Sequence, residues 1–257
     1  MTPTTVPTYR FLGVSVQPLT KTDLLSAIES TVDSSADNGI IGNHNLHSLY
    51  LLHRDDEMKQ FYDVNRYTHI DGMSMILLAR MLGVPLRRDH RTTYLDWFED
   101  FLALAERKKW RLYFLGGREE MIASIPERLL TRYPNLLLRS HHGFDAFSPN
   151  TSVFGEIEEF APHAVLVGMG MPLQERWILE ARNRIRTHLF LPCGAAMEYL
   201  MNFQKAPPRW IGRIGLEWLY RFISRPKALY RRYLLEPLVL LPIILREVAA
   251  RRAYVKE

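Results

Sequence analysis

A chain of 257 residues, 47% hydrophobic and 24% charged, buries a full core and excludes an intrinsically disordered protein. Its one cysteine, Cys193, excludes an internal disulfide framework and any zinc site built on several cysteines, and it suits a reducing compartment. The formal charge of +5 is uneven: from Lys205 onward 12 Lys or Arg stand against 4 Asp or Glu, a net of +8, while the preceding part carries 21 against 24, a net of −3. A basic C-terminal segment suits nucleic acid, anionic lipid or a phosphorylated substrate, and charge alone leaves the three open.

In chain order, the Thr- and Pro-rich lead Met1 to Tyr9 has neither an apolar stretch nor a basic start, so it does not read as a signal peptide. Phe11 to Val16 alternates as a strand, and Lys21 to Ser35 has helical spacing behind a Thr20 cap. Gly39 to Gly42 reads as a short buried strand leading to Asn43-His-Asn45, with Leu46, Leu49 and Leu52 on the helix that follows. Tyr67 to Asp71 is the next strand, before the apolar helix Met73 to Leu82. Strand Trp110 to Leu115 meets Gly116-Gly117 and helix Glu119 to Arg132; strand Asn135 to Arg139 meets a polar loop. Strand Ala164 to Val167 meets Gly168-Met-Gly170 and helix Leu173 to Arg186, and strand His188 to Leu191 meets Cys193-Gly194. Strands alternating with crossover helices predict an α/β fold with a mostly parallel sheet and helices on both faces.

Near Gln204 the pattern changes, which divides the chain into a core, 1–204, and a basic amphipathic helical appendage, 205–257. Pro207-Pro208 is a helix-start signal, and Trp210, Trp218, Tyr220, Phe222 and Tyr230 stand among arginines. The most apolar run, Tyr233 to Leu245, spans 13 residues and contains Glu236, Pro237 and Pro242. A bilayer crossing needs roughly 20, so the appendage reads as an interfacial membrane-associating helix or as a helical pair packed on the core.

Ligands of an open parallel sheet bind at the carboxyl ends of strands. Asn43, Asn45, Asp71, Gly116, Gly117, Gly168, Gly170 and Gly194 all hold such positions. Asp71, beside flexible Gly72, is placed for acid-base chemistry or as the cap of the helix from Met73. The glycine pairs suit close approach of backbone amides to phosphate or simple turns, and neither has the spacing of a dinucleotide fingerprint. The histidines His44/His47 and His141-His142 lack the His-Glu-x-x-His arrangement, so no metal is expected; Asp145, after Gly143-Phe144, could hold a divalent ion, but one loop carboxylate is weak evidence for it.

Together these segments resemble the WecG/TagA/CpsF glycosyltransferase family from Phe11 to about Tyr233. The likeness rests on Asn45, Asp71-Gly72, Phe114-Leu-Gly-Gly117, Tyr133-Pro134 to Gly143-Phe144, Gly168 to Glu175 with Trp177, Lys205-Ala-Pro207, and Gly215-Leu-Glu-Trp-Leu-Tyr-Arg221. The resemblance implies a Rossmann-like, inverting, metal-independent transferase needing no cofactor. Such an enzyme takes a hexose-type sugar from a UDP-sugar to a polyprenyl-diphosphate-linked acceptor, for cell-surface or extracellular polysaccharide, as a peripheral protein at the cytoplasmic membrane face. It implies Asp71 as general base, with Asn43 (usually threonine), Asn45 and Gln174 on sugar or nucleotide, and Gly116, Gly117, Gly168 and Gly170 near the carrier. Arg221 and Arg231 match appendage arginines that would neutralise the leaving diphosphate.

Two departures stand out: Arg91-Thr-Thr-Tyr-Leu-Asp96 carries Tyr94 where the family has glycine, and a third basic position falls at Ala228, beside Lys227. Competing readings are a dehydrogenase-like nucleotide enzyme and a non-catalytic nucleotide- or lipid-binding membrane scaffold. Nucleic acid is not expected as a partner, because the basic residues accompany an apolar helix rather than a stacking platform. Removal of the chain beyond Gln204 is expected to leave a folded, more soluble core with little transfer activity.

Overall fold

The computed structural model describes residues 6–34 and 38–254. Among them are eight strands: β1 Tyr9–Phe11, β2 Val14–Val16, β3 Gly39–His44, β4 Tyr67–Ile70, β5 Arg111–Gly116, β6 Leu137–His141, β7 Ala164–Gly168 and β8 Leu189–Pro192. β3 to β8 form one parallel sheet in the order β4-β3-β8-β7-β5-β6. The strands run parallel because each of β3 to β7 is followed by helix that returns the chain across the sheet. Leu46–Leu52 and Asp56–Asp63 follow β3, Met73–Met81 and Tyr94–Lys108 follow β4, Glu119–Arg128 follows β5, Val153–Phe160 follows β6 and Leu173–Ala181 follows β7.

Both sheet faces are covered, which is why the central strands β7 and β8 are unbroken apolar runs with no exposure from Ala164 to Val167 and Leu189 to Leu191. Alternate side chains feed two cores. Leu112, Phe114, Leu166 and Leu191 meet Trp97 and Phe101 on one face, while Tyr113, Val165, Val167 and Phe190 meet Ile157 and Trp177 on the other. The α/β class and the parallel sheet expected from the sequence are what the chain adopts.

Several boundaries differ from the sequence reading. Phe11 to Val16 is not one strand but part of a hairpin, β1 antiparallel to β2, whose turn residues Leu12 and Gly13 take positive φ of 50° and 77°. That backbone twist matches the right-handed twist of the flanking strands. The hairpin buries Phe11, Leu12, Val14 and Val16 in a third apolar cluster with Leu49, Ile76 and Leu240, beside the β4 edge of the main sheet, which contributes Ile70. Helix Lys21–Asp33 opens with a Thr20/Asp23 capping box as the sequence suggests. Its expected end at Ser35, and Met1 to Thr5 of the lead, lie outside the described residues. Helices Glu119–Arg128 and Leu173–Ala181 stop short of Arg132 and Arg186, and β6 lies two residues later than expected.

Gly116 and Gly168 face each other across the β5–β7 ladder. A Cβ on Gly116, at φ 147°, would stand 2.5 Å from the Gly168 carbonyl carbon and oxygen, a clash with backbone that no rotamer relieves. Gly116→Ala is therefore expected to destabilise the fold by about 3 kcal/mol or more, a fall of about 6–12 °C in Tm, readable by calorimetry.

Beyond Gln204 the described residues form helices Arg209–Ile214, Glu217–Ser224 and Pro226–Tyr230, a π-helical turn Arg231–Leu235, and helix Glu236–Tyr254. The last of these returns to the core. Leu240 is buried in the hairpin cluster with Ile243, Ile244 and Val248 against it. Glu236 pairs with His47 at 2.7 Å, Glu247 accepts from the Leu12 N–H at 2.7 Å, and Arg251 donates to the Leu82 and Arg10 carbonyls. The same helix and its neighbours leave Ile223, Leu234, Leu238, Leu241 and Leu245 exposed. The appendage thus packs on the core, as one of the two sequence readings has it, and also carries an outward apolar face. No helix among the described residues is long and apolar enough to cross a membrane.

Candidate active site

The carboxyl ends of β3, β4, β7 and β8 open into a cleft of about 510 Å3, closed on one side by Tyr220, Arg221, Arg225 and Arg232 of the appendage. Of the residues singled out from sequence, the fold brings Asn43, Asn45, Asp71, Gly170, Gln174, Gly194 and Arg221 together on its wall. Gly116, Gly117, Gly168 and Arg231 are not among the lining residues. Gly168 has its own steric reason to be glycine, since a Cβ there would lie 2.8 Å from the Phe114 ring and 2.9 Å from the Gly194 carbonyl oxygen.

Asp71 follows β4, its N–H donating to the His44 carbonyl at 2.8 Å. Gly72, at φ 100°, is the N-cap of helix Met73–Met81, and no side chain bonds that helix end. The cap alternative for Asp71 is therefore not realised, and its half-buried carboxylate is left to the cleft. Beneath it, burial pushes the His44 imidazole down to about 3, with His69 adding to the effect. Burial likewise pushes His69 down to about 4, against the opposing influence of Asp71 and Thr92. Both rings are neutral near pH 7, so they add no charge under Asp71. Arg221 lines both cavities with Asp71 and interacts with it electrostatically: burial opposes its charge, but Tyr199, Asp71, Tyr233 and Glu217 outweigh that and hold it above the usual arginine value.

Gln174 and Asn45 have structural duties as well as cleft positions. Gln174 Oε1 accepts from the Gly170 and Gly194 N–H groups at 3.2 and 3.1 Å, tying the loops after β7 and β8 together. Its Nε2 donates to Glu175 Oε1 at 2.8 Å. Asn45 caps helix Leu46–Leu52, its Oδ1 accepting from the Ser48 N–H at 3.0 Å, which leaves its amide NH2 to donate elsewhere. Cys193 is buried, and burial pushes its thiol up to about 12, so it is no nucleophile.

Glu175 is buried with Oε2 unpartnered, and burial pushes its carboxyl from 4.5 up to about 7, with Asp55 adding and the Gln174 bond opposing. A raised folded-state value favours the neutral acid, so the associated stability is present in full below about pH 4.5 and lost as pH rises through about 7. Glu175→Gln keeps an acceptor for Gln174 and cannot ionise. Its melting temperature relative to wild type is expected to rise between pH 5 and pH 8, the ionised wild type losing up to about 3 kcal/mol. A difference independent of pH would refute the assignment.

The cations of the cleft are Lys205, Arg221, Arg225 and Arg232. Sequence reasoning named Arg221 and missed the role of the other three. Arg221, Arg225, Leu229 and Arg232 recur at helical spacing, and that stripe was the available signal. Arg231 falls off it; its guanidinium is exposed and bonds the Tyr230 hydroxyl at 3.1 Å, while the wide turn Arg231–Leu235 brings Arg232 to the cleft. Ala228 is exposed, and neither it nor Lys227 reaches the wall; Arg225 stands there instead. Arg232→Ala is expected to lower kcat/KM for a diphosphate-bearing substrate about ten-fold or more, the scale of one charged hydrogen bond. Arg231→Ala is expected to leave it close to wild type in the same assay.

A second cavity, of about 80 Å3, lies on the other side of Asp71, Arg221 and Arg232. Arg91 lines it, held by Asp96 at 3.0 Å and by Glu217 of the appendage at 3.3 Å. Tyr94, the departure noted in this segment, lines the main cleft, donates a short hydrogen bond to the Pro192 carbonyl and packs 4.8 Å from Trp97.

His44 and His47 diverge, the first bonded to Ser48 Oγ at 3.0 Å and the second to Glu236. Among the described residues, His141, His142 and Asp145 form the one three-donor group close enough for a metal, with donor atoms within 4.8 Å. It sits at the end of β6, the sheet edge opposite β4, five strand spacings or about 24 Å from Asp71.

A parallel sheet whose strand ends open into a cation-lined cleft with a carboxylate in its wall defines an α/β protein with a cleft suited to a phosphorylated ligand. The chain belongs to the glycosyl transferase WecG/TagA/CpsF family, whose profile matches residues 9–254, and glycosyl transfer is accordingly its class of activity. The resemblance carried by the motifs is borne out. It is 26% identical over 196 residues to an N-acetylglucosaminyldiphosphoundecaprenol N-acetyl-beta-D-mannosaminyltransferase of Staphylococcus aureus strain MW2, covering 76% of this chain and 74% of the relative. The protein of the same name from strain MRSA252 is 27% identical over the same lengths.

Proposed function

We propose that the protein is an inverting, metal-independent transferase that moves a hexose-type sugar from a UDP-sugar to a polyprenyl-diphosphate-linked glycan, in the synthesis of a cell-surface or extracellular polysaccharide. The observation that carries this reading is the position of Asp71 in the partition between a cleft of about 510 Å3 and a smaller pocket, with the charged Arg221 beside it. Asp71 accepts the proton of the acceptor hydroxyl as that oxygen bonds to the anomeric carbon from the face opposite the diphosphate. The bond from the anomeric carbon to the diphosphate oxygen breaks, and the nucleoside diphosphate leaves with the electron pair. Arg221, Arg225, Arg232 and Lys205 offset its negative charge, as guanidinium forks suit phosphate oxygens. This placement of cations supports a reaction without a metal at Asp71.

The acceptor class follows the relatives, whose name describes transfer to N-acetylglucosaminyl-diphosphoundecaprenol. A lipid-linked acceptor requires access to the membrane surface, and the exposed Ile223, Leu234, Leu238, Leu241 and Leu245, together with the basic residues of the appendage, supply an interfacial face on the cytoplasmic side. The test is transfer from a panel of radiolabelled UDP-sugars to polyprenyl-diphosphate-linked mono- and disaccharides in the presence of EDTA. Product from one donor, undiminished by EDTA, is the expected result. No product from any pairing, with lipid vesicles still bound, would favour the non-catalytic scaffold instead.

A further inference from the structure

His141 ends β6, the sheet edge opposite β4, and His142 and Asp145 follow it in the loop before helix Val153–Phe160. Two imidazole nitrogens converge there on one carboxylate oxygen: Asp145 Oδ1 lies 3.6 Å from His141 Nδ1 and 3.5 Å from His142 Nδ1. Hydrogen bonds between such groups close to about 2.7–3.2 Å, so neither contact is one. His142 Nδ1 and Asp145 Oδ1 are in fact buried atoms with no hydrogen-bond partner among the described residues, and leaving such atoms unpaired costs stability. We propose that His141, His142 and Asp145 form a binding site for one divalent ion of the zinc class, which fastens the loop after β6 and takes no part in sugar transfer.

The spacing is what carries the proposal. Around a tetrahedral ion with bonds of about 2.0–2.1 Å, neighbouring donor atoms stand about 3.3–3.4 Å apart. The separations of 3.5 and 3.6 Å match that edge, and all three donors lie within 4.8 Å of one another. Two imidazoles and one carboxylate suit zinc and its neighbours in the first transition row, whereas magnesium and calcium take shells of oxygen. The side chains of His141, His142 and Asp145 are 17%, 30% and 41% exposed, which gives an ion a route in and leaves its fourth position to water.

The groups behind the ligands fit the same reading. His141 Nδ1 lies 2.7 Å from the His142 carbonyl oxygen. To ligate, the ring carries its proton on Nε2 instead, and Nε2 lies 3.9 Å from Glu156 Oε1. Glu156 is itself held by the Tyr113 hydroxyl at 2.7 Å and the Ser152 hydroxyl at 2.5 Å. A fixed carboxylate behind a ligating histidine sets its tautomer and raises its basicity. Gly143, between the ligands, packs so closely that a Cβ would stand 2.8 Å from Met169 Cγ and 3.2 Å from Gly116 Cα. Met169 adjoins Gly170, which lines the cleft, so the ion would brace a loop that backs the cleft wall. By strand spacing it stands about 24 Å from Asp71, and its removal by EDTA leaves transfer intact below the melting temperature of the stripped protein.

The test uses full-length protein stripped with EDTA, freed of chelator and titrated with zinc chloride, followed by calorimetry and by melting temperature. Wild type is expected to bind one zinc per chain and to melt about 5–10 °C higher at a hundred-fold excess over Kd, with no rise from magnesium. Asp145→Asn and His142→Ala are expected to melt with stripped wild type and to lose the zinc-dependent rise. Glu156→Gln, which still accepts from Tyr113, is expected to bind zinc about ten-fold or more weakly. Cobalt(II) gives a readout in wild type alone that needs no variant to fold: intense visible bands mark tetrahedral coordination by protein donors, and the weak bands of the hydrated ion overturn the site. Absence of a zinc-dependent rise in wild type also overturns it, and an equal rise in Asp145→Asn and His142→Ala reduces it to adventitious surface binding only. None of these readouts uses transfer activity, so the ion site and the transferase reading stand or fall separately.

Discussion

Asp71→Asn is expected to retain the fold and the affinity for the nucleotide sugar while losing turnover by about a hundred- to ten-thousand-fold, the usual contribution of a positioned general base. The two halves of that expectation have separate physical grounds. The fold is spared because Asp71 does not cap the helix that follows: Gly72 does, with no side-chain bond to the helix end. The backbone N–H that anchors Asp71 to the His44 carbonyl at 2.8 Å is unchanged by the substitution. Turnover is lost because an amide of the same shape accepts no proton, and the neutral His44 and His69 lie buried below. The measurements are melting temperature, donor binding by calorimetry, and steady-state transfer. Turnover within a few-fold of wild type would remove Asp71 from the chemistry, and a collapsed melting temperature would mean that its role in the sheet edge had been underrated.

The parallel sheet was legible because its central strands are buried on both faces and punctuated by glycine, so apolar runs such as Ala164 to Val167 declared themselves without help from tertiary structure. The hairpin was not, because two strands of three residues joined by Leu12-Gly13 look like one alternating strand, and a positive φ at leucine leaves no mark in a sequence. Helix Asp56–Asp63 is short and mostly polar, with Met58 and Phe61 as its buried residues, too few to establish a period.

At the site, Asp71, Asn43 and Asn45 were found through their place at the carboxyl ends of strands, although β3 runs on to His44 and so contains Asn43, and the cleft brings them together. The glycines illustrate the limit of that rule. Gly170 reaches the cleft, whereas Gly116 and Gly168 meet each other across two strands, and sequence position does not distinguish a glycine that admits a ligand from one that admits a neighbouring backbone. The same limit applies to Gln174, whose oxygen is already held by two backbone N–H groups. Residues far apart in sequence fasten the appendage to the core, Arg91 with Glu217 by an ion pair and His47 with Glu236 by a hydrogen bond. Those pairs, with Leu240 in the hairpin cluster, also revise the expectation for truncation after Gln204: the cut uncovers apolar surface and leaves buried groups unpaired, so a soluble core is not the outcome to expect.

Point substitution of Arg221 is therefore the sharper test of what the appendage contributes. Arg221 lines both cavities, packs with its guanidinium 5.3 Å from the Tyr199 ring centroid, and has Nε buried without a partner. Burial works against its charge, but Tyr199, Asp71, Tyr233 and Glu217 more than offset that, and an arginine is charged at neutral pH, so it meets a departing diphosphate as a preorganised cation rather than one that must be recruited. Loss of a preorganised group of this kind costs on the order of a hundred- to a thousand-fold in kcat, and that is the fall expected for Arg221→Ala. Arg221→Lys restores the charge but not the planar fork, and is expected to recover only part of the loss. The comparison is made in single-turnover transfer at saturating donor, so that binding and chemistry separate. If Arg221→Ala turns over as fast as wild type, the appendage does not complete the site, and the cations of the cleft serve substrate capture alone.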